Sequence, residues 1–209
     1  MLTLYDKAEC PFCYRVRLCL GHLGLGVVRY PHDDPEHERA WRALTSAKTV
    51  PVLGDGDVVL TDSQVILEYL QDLHGGLLPD GAAARAHARE VTRFADNPVG
   101  RAVREVVFEK RAKPEGPWDE ERLRAARVAW LETLPTLEAW IEGRDHFAGV
   151  YSFADAALTG RFALALAYGL ELPPGYVALR RWLEARLADP FFVDASPPRV
   201  RAWSARERA

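Results

Sequence analysis

The order of strand-like and helix-like segments changes once along this chain, and that change limits the folds the chain can adopt. Up to residue 76, short β-favouring runs alternate with helical patterns in the order βαβαββα. Glycine and proline residues then break the pattern, and only helical periodicity follows. The sequence therefore predicts an α/β domain at residues 1–76, a linker at 77–84 and an all-α domain at 85–209.

The individual elements are predicted from hydrophobic periodicity and from turn residues. In the first part we expect strands over residues 2–5, 27–30, 49–53 and 58–60, and helices over 11–24, 35–44 and 63–73. The run Gly-Asp-Gly-Asp at residues 54–57 is a hairpin signal between the last two strands. In the second part we expect helices over 82–111 with a break near 97–98, over 118–142 with a kink at Pro135, over 154–169 and over 176–188. Residues 189–209 carry no clear pattern.

The motif Cys10-Pro11-Phe12-Cys13 lies where the first strand gives way to the first helix. Cys10 is expected just before or at the helix N-cap, with Pro11 at the first helical position. The helix dipole and free N–H groups favour an anion there, and they can lower a cysteine pKa from ~8.5 to between ~3.5 and ~7.5. Cys13 follows one turn later near the same face, where it can close a disulfide with Cys10. The motif predicts thiol chemistry in which Cys10 attacks and Cys13 resolves.

A CxxC motif can also bind zinc or serve a purely structural role. A zinc site needs two further ligands at suitable spacing, and neither Cys19 nor the six histidines supply it, so no metal site is predicted. A pair of buried structural cysteines is the second alternative. Three cysteines, two of them in one motif, do not form the disulfide framework of a small secreted protein.

Charge and hydropathy exclude several classes of function. The net charge of −3 and the scattered basic residues give no reason to expect a nucleic-acid partner. No apolar run reaches the ~20 residues that a membrane-spanning helix needs. The first residues lead directly into the cysteine motif without the apolar region of a signal peptide. We therefore expect a cytoplasmic protein with no membrane partner.

Val50-Pro51 lies at the start of the third strand, immediately after a loop. A proline is ordinarily tolerated as the first residue of an edge strand, with a trans bond as the default. In a βαβαββα domain that carries CxxC, this proline also resembles the cis-proline of the thioredoxin-like fold. In that fold the residue before it pairs its backbone with a peptide-like thiol.

Asp62-Ser63 opens the helix that follows the hairpin. Both residues are good N-caps, and capping alone would account for them. They could also bind an amino-acid group, with its ammonium on Asp62 and its carboxylate on Ser63 and the helix N-terminus. Further along, Ser152 and Asp155 are spaced as a capping box, which we interpret as structural.

Taken together, these motifs resemble the glutathione S-transferase superfamily over nearly the full chain. Within it they are most similar to cysteine-type members of the omega and beta classes and to two-domain glutaredoxin-like proteins. The resemblance implies a thioredoxin-like α/β domain followed by an all-α domain of the transferase type, glutathione as co-substrate and a homodimer. It implies Cys10 as the catalytic thiol with Cys13 beside it, and a glutathione site formed by Phe12, Val50, Pro51, Asp62 and Ser63. Family members usually carry Glu where this chain has Asp62.

The function predicted on these grounds is that of a glutathione-dependent thiol transferase, a thiol-disulfide oxidoreductase that uses the Cys10 thiolate. Its second substrate would be a small-molecule or protein disulfide, or an electrophile. Two alternatives remain open. One is a transferase that conjugates glutathione to electrophiles, and the other is a non-catalytic binding protein of the same fold.

Overall fold

A computed structural model describes residues 1–207, and residues 208 and 209 of the predicted helical domain lie outside the described residues. The predicted βαβαββα order is confirmed, and helices alone follow it. The elements are β1 (Leu2–Asp6), α1 (Pro11–His22), β2 (Val27–Pro31), α2 (Pro35–Leu44), β3 (Val52–Asp55), β4 (Val58–Leu60), α3 (Ser63–His74), α4 (Ala82–Phe94), α5 (Gly100–Ala112), α6 (Glu120–Ile141), α7 (Phe153–Ala167), α8 (Val177–Leu187), α9 (Phe192–Ala195) and α10 (Pro198–Glu207).

The four strands form one mixed sheet in the order β2-β1-β3-β4. β1 pairs parallel to β2 and antiparallel to β3, and β3 and β4 form the predicted hairpin. Its two-residue turn contains Gly56, whose φ of 57° is a conformation that glycine adopts without a steric penalty. β3 begins at Val52 rather than at Thr49, because its pairing with β1 starts where Val52 lies opposite Tyr5.

The register brings three loop segments to the same end of the sheet. β1 ends beside the start of β3, as the pair Tyr5 and Val52 shows. β4 ends beside the same point, since Leu60 lies opposite Leu53. The segments that follow β1, precede β3 and follow β4 therefore meet at one edge of the domain.

Alternate side chains of the sheet face two different apolar clusters, as expected for strands covered on both sides. Leu4 and Leu53 belong to the main core, which α1 and α3 cover. Tyr5 and Val52 point to the opposite face and pack with Trp41 of α2.

The helical part departs from a simple bundle between α4 and α5. A five-residue kink, Ala95–Val99, joins these helices, and Asn97 within it has non-helical dihedral angles. This is the predicted break. α6 runs through Pro135 as one continuous element, and the C-terminal segment without a clear pattern forms α9 and α10. Within residues 1–207, no helix is both long and apolar enough to cross a membrane.

The first and second parts of the chain share one apolar core. The core extends from α1 and α3 to α6 and α7, and it includes Tyr14, Leu67, Trp130 and Phe162. α1 and α7 pack against each other at Gly160, where a Cβ would lie 3.4 Å from the ring of Tyr14, at the short end of ordinary van der Waals contact. The helix that carries the cysteine motif is thus an interior element of the whole molecule.

α1 is also tied to the C-terminal segment. Tyr14 Oη and Ser196 Oγ lie 2.5 Å apart, and the Ser196 hydroxyl donates to the Phe192 carbonyl at 2.6 Å. Arg17 donates from Nε to the Ala195 carbonyl at 2.7 Å and from Nη1 to Asp6 Oδ2 at 2.8 Å. Arg17 falls away from the apolar positions of α1 in sequence, yet it is buried because these acceptors satisfy its guanidinium.

The predicted capping box at the start of α7 is confirmed. Asp155 is fully buried and accepts from the Ser152 N–H at 3.0 Å, and its other oxygen accepts from Trp182 Nε1 at 2.9 Å. Asp155 therefore both caps α7 and links it to α8.

Candidate active site

Cys10 is the N-cap residue of α1, as the sequence predicts. Its backbone is extended, with φ −81° and ψ 120°, and Pro11 occupies the first helical position. The Cys10 carbonyl accepts the first helical hydrogen bond from the Tyr14 N–H at 2.8 Å. Cys10 is partly buried, so it keeps some contact with solvent.

The environment of Cys10 favours its thiolate. The pKa of Cys10 is lowered to about 6, mainly by a hydrogen bond from the Cys13 thiol and against the opposing effect of burial. The backbone N–H groups of Cys13 and Phe12 and the positive charge of Arg161 contribute to the same lowering. The N–H groups do not reach the geometry of a full capping hydrogen bond, so they act on the sulfur mainly as dipoles. At neutral pH most Cys10 side chains are therefore ionised.

Cys13 has the opposite character. It is fully buried, and burial together with the neighbouring Cys10 raises its pKa well above the ordinary value. The Lys7 N–H lies 3.5 Å from its Sγ. Cys13 therefore stays protonated and acts as the hydrogen-bond donor of the pair. Cys19, deeper in the same helix, is buried without such a partner, and burial raises its pKa too.

Two buried arginines share one carboxylate next to the cysteine motif. Arg15 Nη2 and Arg161 Nη2 both donate to Asp96 Oδ1, the second at 3.2 Å. Within residues 1–207, Nε and Nη1 of Arg15 are buried without a hydrogen-bond partner. The group formed by Arg15, Asp96 and Arg161 carries a surplus positive charge, which Coulomb attraction makes favourable for a nearby thiolate.

Phe12 covers this arginine pair. The Cζ atoms of Arg15 and Arg161 each lie 4.9 Å from the centroid of the Phe12 ring, and Phe12 keeps 40% of its surface exposed. Sequence reasoning missed Arg15, Arg161 and Asp96, because they come from three elements that are far apart in the chain. In sequence Arg15 appears only as a polar position of α1, and no local signal marks the other two.

Val50-Pro51 is a cis peptide bond, the geometry that the resemblance to the thioredoxin-like fold implies. Val50 precedes the strand ladder, which begins at Val52, and Pro51 is buried. The backbone of Val50 thus lies at the sheet end that also carries the cysteine motif.

Asp62 caps α3. Its Oδ1 accepts from the N–H groups of Gln64 at 2.8 Å and Val65 at 3.1 Å, which confirms the capping interpretation. The Asp62 side chain is exposed, and Ser63 is buried as the first residue of the helix. Since one Asp62 oxygen is engaged by the helix, a ligand ammonium would bind the other.

The residues predicted for the site come from three segments that meet at one end of the sheet. The segment after β1 supplies the thiol, the segment before β3 supplies extended backbone, and the segment after β4 supplies a helix N-terminus with a carboxylate. These groups suit a short peptide that bears a thiol and an amino-acid end. The donor set therefore fits glutathione.

Known proteins share this architecture. Residues 4–77 match the family described as glutathione S-transferase, N-terminal domain. Glutathione S-transferase U2 of Arabidopsis thaliana is 30% identical over 188 residues, which cover 83% of this chain and 78% of that protein. The probable maleylacetoacetate isomerase of Caenorhabditis elegans is 24% identical, over 94% of this chain and 92% of its own. A glutathione S-transferase structure from Rhodospirillum rubrum F11 superposes with a TM-score of 0.85 at 25% identity, covering 98% of this chain and 100% of that one. By its sequence and by its fold, this chain belongs to the glutathione S-transferase superfamily.

Proposed function

We propose that this protein is a cysteine-type member of the superfamily and works as a glutathione-dependent thiol transferase. The observation that carries the proposal is the state of Cys10, a partly exposed N-cap residue whose pKa is lowered to about 6, chiefly by a hydrogen bond from the Cys13 thiol. A thiolate at neutral pH is the nucleophile that disulfide exchange requires.

The reaction consists of two thiol-disulfide exchanges. The Cys10 thiolate attacks the glutathione sulfur of a mixed disulfide; a new S–S bond forms, the old one breaks, and the substrate leaves as a thiolate that takes up a proton. A second glutathione, as thiolate, then attacks the glutathione sulfur held on Cys10. Oxidised glutathione leaves and the Cys10 thiolate is restored. The substrate sulfur of the mixed disulfide is reduced to a thiol and the incoming glutathione thiol is oxidised; it joins the glutathione unit that came from the mixed disulfide, and no other oxidant or reductant is needed.

In this route Cys13 acts mainly as a hydrogen-bond donor to Cys10 rather than as a resolving nucleophile. It is buried, and its pKa is raised well above the ordinary value, so little thiolate is available to attack the adduct on Cys10. Its thiol favours Cys10 as an attacking thiolate and, by the same interaction, as a leaving group in the second exchange.

Glutathione supplies the reducing thiol and would be held by the three segments at the sheet end. The Val50 backbone beside Pro51 would pair with the cysteinyl unit, and Phe12 would lie next to the reacting sulfur. Asp62 and Ser63 would hold the γ-glutamyl group at the start of α3. The Asp62 oxygen that caps α3 is not required for this contact.

The proposal is tested with bis(2-hydroxyethyl) disulfide and glutathione as substrates. Cys10→Ser should lose turnover, whereas Cys13→Ser should retain a monothiol route with reduced rate. Cys19→Ala is the matched control, because it removes a buried thiol of the same helix, and its kcat should stay within about twofold of wild type. Full activity in Cys10→Ser would contradict the proposal.

Conjugation of electrophiles is the second candidate, favoured by the names of the relatives, which include a glutathione S-transferase and a probable isomerase. In that case glutathione is the nucleophile and Cys10 only positions it. Cys10→Ser would then keep or gain conjugating activity while disulfide reduction stays absent in wild type. A non-catalytic binding protein would retain glutathione binding and show neither activity.

Other properties are proposed from the family. They are a homodimer, a cytoplasmic location and the division into residues 1–76, 77–84 and 85–209. Sedimentation equilibrium tests the first. Because the two parts share one core, the division is proposed as a structural one, and neither part is expected to fold well alone.

A further inference from the structure

A cluster of cations surrounds the carboxylate of Glu9, the residue immediately before Cys10. Arg111 Nε of α5 lies 3.6 Å from Glu9 Oε2, and Arg199 Nε of α10 lies 3.8 Å from Glu9 Oε1. Tyr168 Oη donates to Glu9 Oε2 and holds the carboxylate in place. Two elements of the helical part thus direct positive charge at the loop that carries the reactive thiol.

Lys110 adds a third cation. Its Nζ donates to the Tyr168 carbonyl at 2.6 Å, while Arg199 stacks on the Tyr168 ring with Cζ 4.4 Å from the centroid. The pKa of Lys110 is lowered by burial and then by repulsion from Arg127 and Arg199, with Glu120 partly offsetting them. We name Lys110, Arg111 and Arg199 the Glu9 cation cluster.

The charges in this cluster are not balanced. Arg111 and Arg199 face the one carboxylate of Glu9, and Lys110 lies on the Tyr168 carbonyl, while the nearby charges of Arg127 and Glu120 oppose each other. The two arginine contacts exceed ordinary N–H···O hydrogen-bond length, so they are loose ion pairs. The side chains of Arg111 and Arg199 are 34% and 49% exposed, which leaves guanidinium edges for a second acceptor.

The cluster is close enough to Cys10 to bind the far end of a small substrate. Consecutive Cα atoms are 3.80 Å apart, and adding the reach of both side chains places the Glu9 carboxylate within about 12 Å of the Cys10 sulfur. From the Cys10 sulfur, a reacting contact of about 3.5 Å, a disulfide of about 2 Å and a short carboxylate-bearing arm of about 5 Å together cover a comparable distance.

We propose that the Glu9 cation cluster binds an anionic group of the second substrate, so that this protein prefers disulfides or electrophiles that bear a carboxylate. Arginine suits this role because its planar guanidinium forms charge-assisted, paired hydrogen bonds with carboxylates. The inference rests on the proposed function, since it names the substrate class of the same site.

The test uses three disulfides of similar size and different charge: 3,3′-dithiodipropionate, bis(2-hydroxyethyl) disulfide and cystamine. Each kcat/KM is divided by the uncatalysed rate with glutathione, which removes intrinsic reactivity. Wild type should prefer the anionic disulfide to the cationic one by at least about tenfold. Arg111→Gln and Arg199→Gln should each reduce that preference about fivefold or more, with the neutral disulfide changed less than twofold.

Controls separate charge from packing. Arg111→Lys and Arg199→Lys keep the charge and should recover most of the preference. Arg201→Gln removes an exposed arginine from the same helix about 200° away from Arg199, and it should leave the preference unchanged.

The alternative outcomes are distinct. Equal kcat/KM for all three disulfides, with normal turnover of the neutral one, would overturn the anionic subsite and leave the proposed function intact. If Arg111→Gln and Arg199→Gln raise the KM for glutathione with every disulfide, the cluster binds a carboxylate of glutathione, and the inference is overturned. No turnover of the neutral disulfide in wild type would overturn both proposals.

Discussion

Cys10 and Cys19 lie on the same helix, about two and a half turns apart, and their thiols have opposite properties. Cys10 is at the helix N-cap, partly exposed, and its pKa is lowered by the Cys13 thiol. Cys19 is fully buried among apolar groups, and burial raises its pKa. Burial opposes ionisation at both positions, so the difference comes from what the helix end and its neighbours offer the sulfur.

Cys13 shows that burial alone does not determine what a thiol of this helix contributes. It is as buried as Cys19, and its pKa is also raised, yet it favours the Cys10 thiolate by donating a hydrogen bond to it. A buried thiol can thus be inert as a nucleophile and still stabilise a neighbouring thiolate.

The largest expected effect is on alkylation. At pH 7 and limiting iodoacetamide, Cys10 should react at least ~100-fold faster than Cys19, because only the thiolate reacts and burial also blocks access. Trypsin separates the two, since residues 8–15 carry Cys10 and Cys13 while residues 18–29 carry Cys19. Mass spectrometry of these peptides measures the ratio. Similar labelling of both would break the comparison.

The next largest effect is expected when Cys13, the hydrogen-bond donor to Cys10, is replaced. Cys13→Ala removes the hydrogen bond to Cys10, so the pKa of Cys10 should rise and its alkylation at pH 6 should slow about tenfold. Cys13→Ser keeps a donor and should slow it less. Ultraviolet absorbance of the thiolate against pH gives the midpoint for each variant. An unchanged midpoint in Cys13→Ala would mean that the helix end and Arg161 ionise Cys10 without help from Cys13.

A smaller effect is expected on the free energy of unfolding. The pKa of Cys10 is about 6 in the folded protein and ~8.5 in the unfolded chain, so ionisation of Cys10 stabilises the folded state. This stabilisation is absent below pH 6, grows as the pH rises and is complete above the unfolded pKa. Wild type should therefore gain about 1 kcal/mol relative to Cys10→Ser between pH 5 and pH 7. Urea unfolding under reducing conditions measures the gain, and Cys19→Ala should show no such change over that interval.

The smallest effect on the pKa of Cys10 is expected from the pair Arg15 and Arg161. Arg161→Leu removes the surplus charge under Phe12 and should raise the pKa of Cys10, slowing its alkylation at pH 6 about threefold. Arg161→Lys should restore the rate because it keeps the charge. Failure of lysine to rescue would show that Arg161 acts by packing against Phe12.

Features set by neighbouring residues could be predicted from the sequence. The position of Cys10 at the N-cap, the Asp62 cap and the Ser152 and Asp155 box all depend on spacings of a few residues. The break at Asn97-Pro98 is predictable for the same reason. Such features need only local backbone geometry, which sequence patterns report directly.

Features made by distant segments could not be predicted. Arg15 meets Asp96 and Arg161 only because α1, the Ala95–Val99 kink and α7 pack together. The same holds for Glu9 and Arg199, which come from opposite ends of the chain. A polar residue on a helix looks the same in sequence whether it faces solvent or another charged side chain. These groups can therefore be identified only from the three-dimensional structure.

During synthesis, α1 emerges from the ribosome long before the residues that complete its surroundings. Arg17 and its acceptor Ala195 are 178 residues apart, and Tyr14 and Ser196 are 182 apart. At about 5–20 residues per second, these partners follow ~10–40 s later. Until then the guanidinium of Arg17 lacks one of its carbonyl acceptors, and Cys10 is present before its helix is fully enclosed. The part of the chain that carries the thiol is thus among the first to be made and among the last to be finished.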